Sequence, residues 1–151
     1  MRLFPINIRR VLLVLLFVFS PISGVGQHPR KFDEYGRIAW SDEKARLANA
    51  ASTLQRGAAD IVIFLVAYAG RYACVGEAEK RNRRAKNYLV TKRKVSPNRI
   101  VLLDGGYQEE SVVEIWVLPG DMKPYPTPTV DRKDVVLKNC ALHGATRRKT
   151  R

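Results

Sequence analysis

Apolar positions along the chain fall into two kinds of pattern. Between Asp60 and Ala69 (DIVIFLVAYA), Ile61 to Val66 run without a polar break and include several β-branched residues. A short continuous run of this kind predicts a central strand buried on both faces. Gly70 closes it, and Arg71 to Gly76, with Cys74, reads as a loop. On either side the period becomes helical. Leu47, Ala51 and Leu54, with Ala48 and Ala50 filling in, predict a helix with Ser41 as N-cap, Asp42 and Glu43 in its first turn, and Gly57 at its end. Ala78, Ala85, Tyr88 and Leu89 predict a second helix over Glu77 to Lys92.

Shorter apolar stretches supply the remaining strands. Phe32 to Trp40 reads as a first short strand anchored by Phe32, Ile38 and Trp40. Val95-Ser96-Pro97-Asn98 is a turn, because Pro97 disfavours a helical Ser96. Arg99 to Asp104 is a strand, and Gly105-Gly106 is expected to turn the chain. Ser111 to Leu118 is a last strand, with Val113, Ile115 and Val117 on one face and Val112, Glu114, Trp116 and Leu118 on the other. The order β-α-β-α-β-β predicts an α+β protein, a two-layer αβ sandwich with parallel crossovers and both helices on the sheet.

Past Pro119 the pattern changes. Pro124, Pro126 and Pro128 alternate with Tyr125, Thr127 and Thr129, which predicts an extended, polyproline-like segment. Such a segment cannot bury Tyr125 internally, so Tyr125 is a candidate partner contact. Asp131 to Cys140 reads either as a short strand or as a docking segment, and Arg147 to Arg151 as a disordered basic tail. The chain is therefore expected to divide into 1–26, 27–118 and 119–151.

The first of these segments sets the compartment. Arg2, Arg9 and Arg10 precede the apolar run Val11 to Phe19, and Ser20, Pro21, Ser23, Gly24 and Gly26 follow. That order predicts a secretory signal cleaved before Gln27, with Gly24 and Gly26 at −3 and −1. An uncleaved anchor is the alternative, but spanning a bilayer takes about 20 apolar residues. The cleaved chain is expected in the periplasm or cell envelope and not to span the membrane. Two cysteines, Cys74 and Cys140, in an exported chain suggest a disulfide, stabilising by about 4 kcal/mol in the chain-entropy treatment. Two separate thiols are the other reading.

Charge then selects the partners. The chain carries +13, and taking off Arg2, Arg9 and Arg10 leaves +10, since no Asp or Glu precedes Gln27. Such a balance attracts polyanions. Outside the cytoplasm these are lipid headgroups, wall polymers or acidic protein surfaces, and not nucleic acid. The charge concentrates on the second helix, in Lys80, Arg81, Arg83, Arg84, Lys86, Lys92, Arg93 and Lys94. It reads either as an anion-binding face or as a solvated exterior. No metal site is expected, because two cysteines plus His28 and His143 near the chain ends form no ligand spacing. Asp104, Glu109, Glu110 and Glu114 have no cleft, histidine or activated serine beside them. No catalytic residue and no cofactor is therefore expected, and the chain is not read as an enzyme.

The run Phe32 to Leu118 resembles the OmpA-like domain, the wall-binding module at the C-terminus of outer membrane protein A. The resemblance rests on the apolar strand before a glycine-containing loop, on Arg84-Ala85 with Tyr88-Leu89 one turn on, on Val95 to Ile100, on Gly105-Gly106-Tyr107-Gln108-Glu109, and on Val113-Glu114-Ile115. It implies that fold and a peptidoglycan-binding site. The family holds the carboxylate and amine of diaminopimelate with an arginine and an aspartate. Arg84 matches the arginine, and the aspartate position falls at Ala69 or Gly70. Ligand-binding candidates are Arg84, Arg81 and Lys80. Arg84 either grips a carboxylate with its planar fork or is a solvated or salt-bridging helix arginine, with Glu77 or Glu79 nearby. Two functions follow: a binding module for wall polymer or another anionic surface, or a structural subunit of an envelope complex.

Overall fold

The computed structural model describes residues 29–140, so the expected export signal and basic tail lie outside the described residues. The elements are β1 (Asp33–Tyr35), α1 (Trp40–Arg56), β2 (Ile61–Gly70), β3 (Tyr72–Cys74), α2 (Glu77–Thr91), β4 (Ile100–Gln108), β5 (Val112–Pro119) and β6 (Val136–Lys138). Four strands form a mixed sheet in the order β1-β5-β2-β4, and β3 and β6 form a separate parallel pair. Within the large sheet, β2 runs parallel to β4 and antiparallel to β5. The molecule is thus an α+β sandwich of two helices against a mixed sheet.

The core lies between helices and sheet. Leu47, Ala50, Ala51 and Leu54 of α1 and Ala85 and Leu89 of α2 meet Ile63, Leu65 and Ala67 of β2 and Val113 and Ile115 of β5. The spacing in α1 is i, i+3, i+4, i+7, the stripe that faces a core. As the unbroken apolar run predicts, β2 is central and is buried on both faces from Ile63 to Gly70.

The second face of the sheet is closed by the proline-rich segment. The Thr127 amide donates to the Tyr68 hydroxyl at 3.1 Å, and the Thr129 amide to the Tyr107 carbonyl at 2.9 Å. Pro124 and Val130 are buried, whereas Tyr125 remains 80% exposed. Beneath lies the carboxylate of Glu114, only 3% exposed. Lys31 pairs with it at 2.6 Å, the Trp116 indole donates at 3.0 Å and the Tyr68 hydroxyl at 3.3 Å. One buried anion therefore ties the N-terminal segment and two strands together, and Tyr68 links it to the C-terminal strap. Beyond the strap, Asp131 to Cys140 supplies the three-residue β6, which pairs with β3, and Cys140 is bridged to Cys74.

Three expectations are corrected. Trp40 does not end a strand but starts α1, and Ala39, not Ser41, is the N-cap. Packing of the Trp40 ring edge-to-face on Tyr88, centroids 5.7 Å apart, accompanies the earlier start. The stretch Arg71 to Gly76 is no plain loop, since β3 forms within it. Gly105-Gly106 does not turn the chain. β4 continues to Gln108, and the register slips so that Asp104 faces Ala67 while Gly106 faces Tyr68. Gly105 is the extra residue of this bulge.

The glycine pair has two separate causes. Gly106 has φ of +81°, a conformation that side chains other than glycine's rarely adopt. At Gly105 a Cβ would lie 2.6 Å from ring atoms of the buried Tyr68. Gly105→Ala is therefore expected to cost about 2 kcal/mol, as overpacking of a full core does. A urea unfolding midpoint unchanged by Gly105→Ala would show that Tyr68 moves freely and contradict this packing.

Candidate functional site

Lys80, Arg81 and Arg84 are spaced i, i+1 and i+4 on α2, so they share one side of the helix. With Cys74 and Glu77 they line a shallow pocket of about 250 Å³. Their roles differ. Arg81 is half-buried: one nitrogen donates to Ser111 Oγ at 2.8 Å, another to the Gly36 carbonyl at 2.6 Å, and the guanidinium lies 5.5 Å from the Tyr35 ring centroid. Burial pulls its pKa below the ordinary arginine value. It stays charged and clamps α2 to the chain before α1 and to the turn before β5. Lys80 is exposed, with only a 3.4 Å contact to the Val75 carbonyl.

Arg84 is tied to a residue the sequence did not suggest. Its guanidinium pairs with Glu43 of α1 and lies 4.7 Å from the Trp40 ring centroid, while 49% of its side chain stays exposed. Glu43 is buried and also accepts from the Tyr35 hydroxyl at 3.3 Å. Neither Glu77 nor Glu79 pairs with Arg84, since Glu77 holds Arg37 at 3.0 Å and Glu79 holds Arg83 at 2.6 Å. A signal for Glu43 was present. It precedes Leu47 by four residues and Ala50 by seven, so it falls on the buried stripe of α1.

Much of the like charge on α2 is matched inside the fold. Lys86 donates to the Ile100 carbonyl at 3.1 Å and Arg93 to Ser52 Oγ at 3.2 Å, in addition to the Arg81, Arg83 and Arg84 contacts. Lys80, Lys92 and Lys94 remain exposed. Of the carboxylates Asp104, Glu109, Glu110 and Glu114, Glu109 is held by Arg71 at 2.8 and 2.5 Å, and Asp104 accepts from the Gly106 amide at 2.9 Å.

Glu77 closes the pocket near the disulfide. Burial alone would raise its pKa, but the Cys74 amide at 3.1 Å and Arg37 at 3.0 Å outweigh burial and hold the carboxyl below its ordinary value. A depressed carboxylate adds stability above its unfolded pKa and loses it as pH falls through the folded one. Glu77→Gln is therefore expected to lower stability at pH 7, with the gap to the parent closing as pH falls below about 4. Urea melts at pH 7 and pH 3 measure this, and a gap as large at pH 3 as at pH 7 contradicts it.

An aspartate at the position that the resemblance implies would be crowded. At Gly70 a Cβ would lie 3.1 Å from the Ser111 amide nitrogen, and Ala69 is buried. A larger hollow of about 570 Å³ lies between Asn82, Asp104, Tyr107 and Leu137, and none of the three candidate residues lines it. Among the described residues no group of three or more His, Cys, Asp or Glu is placed to hold a metal ion, and no helix is long and apolar enough to cross a membrane. Comparison with protein-family models, with curated proteins and with solved structures finds no match for this chain.

Proposed function

We propose that the chain is an exported, non-catalytic binding module of the cell envelope, of the OmpA-like kind, that holds an anionic group of wall polymer or a similar surface against α2. The observation that carries this reading is the convergence of Lys80, Arg81 and Arg84 on one pocket. The order β-α-β-α-β-β in the four-stranded sheet supports the likeness, and the Cys74–Cys140 bridge is compatible with an oxidising compartment. In this reading Lys80 and the exposed half of Arg84 meet the anion, and Arg81 fixes the helix behind them.

The test is sedimentation with insoluble peptidoglycan at low and moderate salt. Retention at moderate salt, competed by free diaminopimelate and reduced about fivefold in Lys80→Glu, is the expected result. Retention at low salt only would reveal plain charge attraction and overturn the reading.

A structural or accessory subunit is the second reading, favoured by a different feature. Tyr72 and Val136 face each other across β3 and β6 and, with Val75, are exposed. Exposed apolar side chains on a short sheet suit a protein partner. Retention in a high-mass complex that is lost in Tyr72→Ser but unchanged in Lys80→Glu would favour it.

A further inference from the structure

A second groove lies beside this pocket, between the two helices, and Arg84 is common to both. It has a volume of about 440 Å³ and is lined mainly by Trp40, Lys44, Arg84, Asn87, Tyr88 and Lys92, with no carboxylate among its lining residues. Trp40 is 36% exposed there. The ring is also held: Tyr88 meets it edge-to-face at 79°, Arg84 lies against it, and buried Glu43 anchors Arg84. An aromatic ring locked by its neighbours and left open to solvent is a preorganised contact surface.

From this geometry we infer that the α1–α2 groove binds an acidic polysaccharide. A sugar ring stacks on Trp40, its hydroxyls meet the Asn87 amide, and carboxylates along the polymer meet Lys44 from one wall and Lys92 from the other. Each alternative leaves part of the groove unused. A neutral glycan has no use for the two unpaired lysines, and an acidic peptide none for an oriented ring. The inference deepens the envelope-binding reading and rests on it, since it names the polymer chemistry that extends past the Lys80 pocket.

Calorimetry on the oxidised chain at 0.15 M salt tests it, with oligogalacturonate as probe and neutral dextran, polyglutamate and oligothymidylate beside it. Oligogalacturonate is expected to bind, and dextran is not. Trp40→Ala is expected to weaken binding about tenfold, and Lys92→Glu, exposed at the end of α2, about fivefold. Lys123→Ala, on the far strap, is the control. Lys92→Glu keeps the test informative if Trp40→Ala unfolds. Polyglutamate or oligothymidylate binding as tightly as oligogalacturonate, or no binding of any probe, overturns the inference. If peptidoglycan retention still depends on Lys80 in that case, only the polysaccharide inference fails. If retention is absent as well, both readings fail.

Discussion

Replacing both bridged cysteines, Cys74→Ser with Cys140→Ser, is expected to lower stability by about 4 kcal/mol relative to the oxidised chain. The bridge spans a sequence separation of 66 residues, so in the unfolded chain it closes a long loop and removes much conformational freedom. A folded-state effect adds to this. β6 has three residues and pairs with β3 alone, through contacts such as Val136 N–Arg71 O at 2.9 Å and Val75 N–Lys138 O at 3.1 Å. A parallel pair this short is not stable in water by itself. Without the bridge β6 is expected to open first, while the strap from Pro124 to Val130 stays down through Thr127 and Thr129. Urea unfolding gives the total, and hydrogen exchange locates the loss. The amides of β6 lose protection and those of β2 keep it. A loss below about 1 kcal/mol would mean that the strap and the β3–β6 hydrogen bonds hold the C-terminal segment, with the bridge adding little.

What the sequence made legible follows from how local the cause is. β2 is readable because both of its faces are buried, so its apolar run has no polar interruption. The stripe of α1 and the stripe Ala85–Leu89 of α2 are readable because each helix rests one side on the sheet. The cysteine pair is readable from its even count and the expected export signal. What escaped has distant causes. Gly105-Gly106 resembles a turn because glycines usually mark one, yet here one glycine makes room for Tyr68, which is far away in sequence. Ser41 is a good capping residue, but helix starts yield to tertiary packing when a tryptophan has a ring to rest on. The proline-rich segment was legibly extended, but nothing local says that it lies across Tyr68 and Tyr107. At the candidate site, the concentration of charge on the second helix was legible in the sequence, and Arg84 was singled out by the resemblance. The internal partners of Arg81 and Arg84 were not legible, because Gly36, Ser111 and Glu43 come from three other segments.

Arg84→Ala is expected to cost about 3 kcal/mol, and Glu43→Gln only about 1 kcal/mol, although both break the same pair. The difference lies in where each survivor stands. Glu43 is 1% exposed, and without Arg84 its carboxylate keeps one contact, the Tyr35 hydroxyl at 3.3 Å. A buried charge stripped of its counter-ion bears most of its desolvation cost. Arg84 has 49% of its side chain in solvent, so without the Glu43 charge it rehydrates while keeping Trp40 under it. Its exposure also screens the pair, which is why the figure stays at the lower end of values for buried pairs. The double variant Glu43→Gln/Arg84→Ala tests the cause, because it leaves no charge behind. It is expected to be more stable than Arg84→Ala alone by about 1 kcal/mol or more, which against the two single losses is a coupling of about 2 kcal/mol or more in a double-mutant cycle of urea melts. Equal losses in the two single variants, or strict additivity in the double, would refute an internal role for Arg84 and return it to the solvent-facing anion site. The distinction governs how the proposed wall binding is measured. Loss of binding in Arg84→Ala reports a weakened α1–α2 contact as readily as a missing ligand contact, and Trp40 moves with it. Lys80, Lys44 and Lys92 carry no such internal pair, so charge reversal at those positions separates recognition from folding.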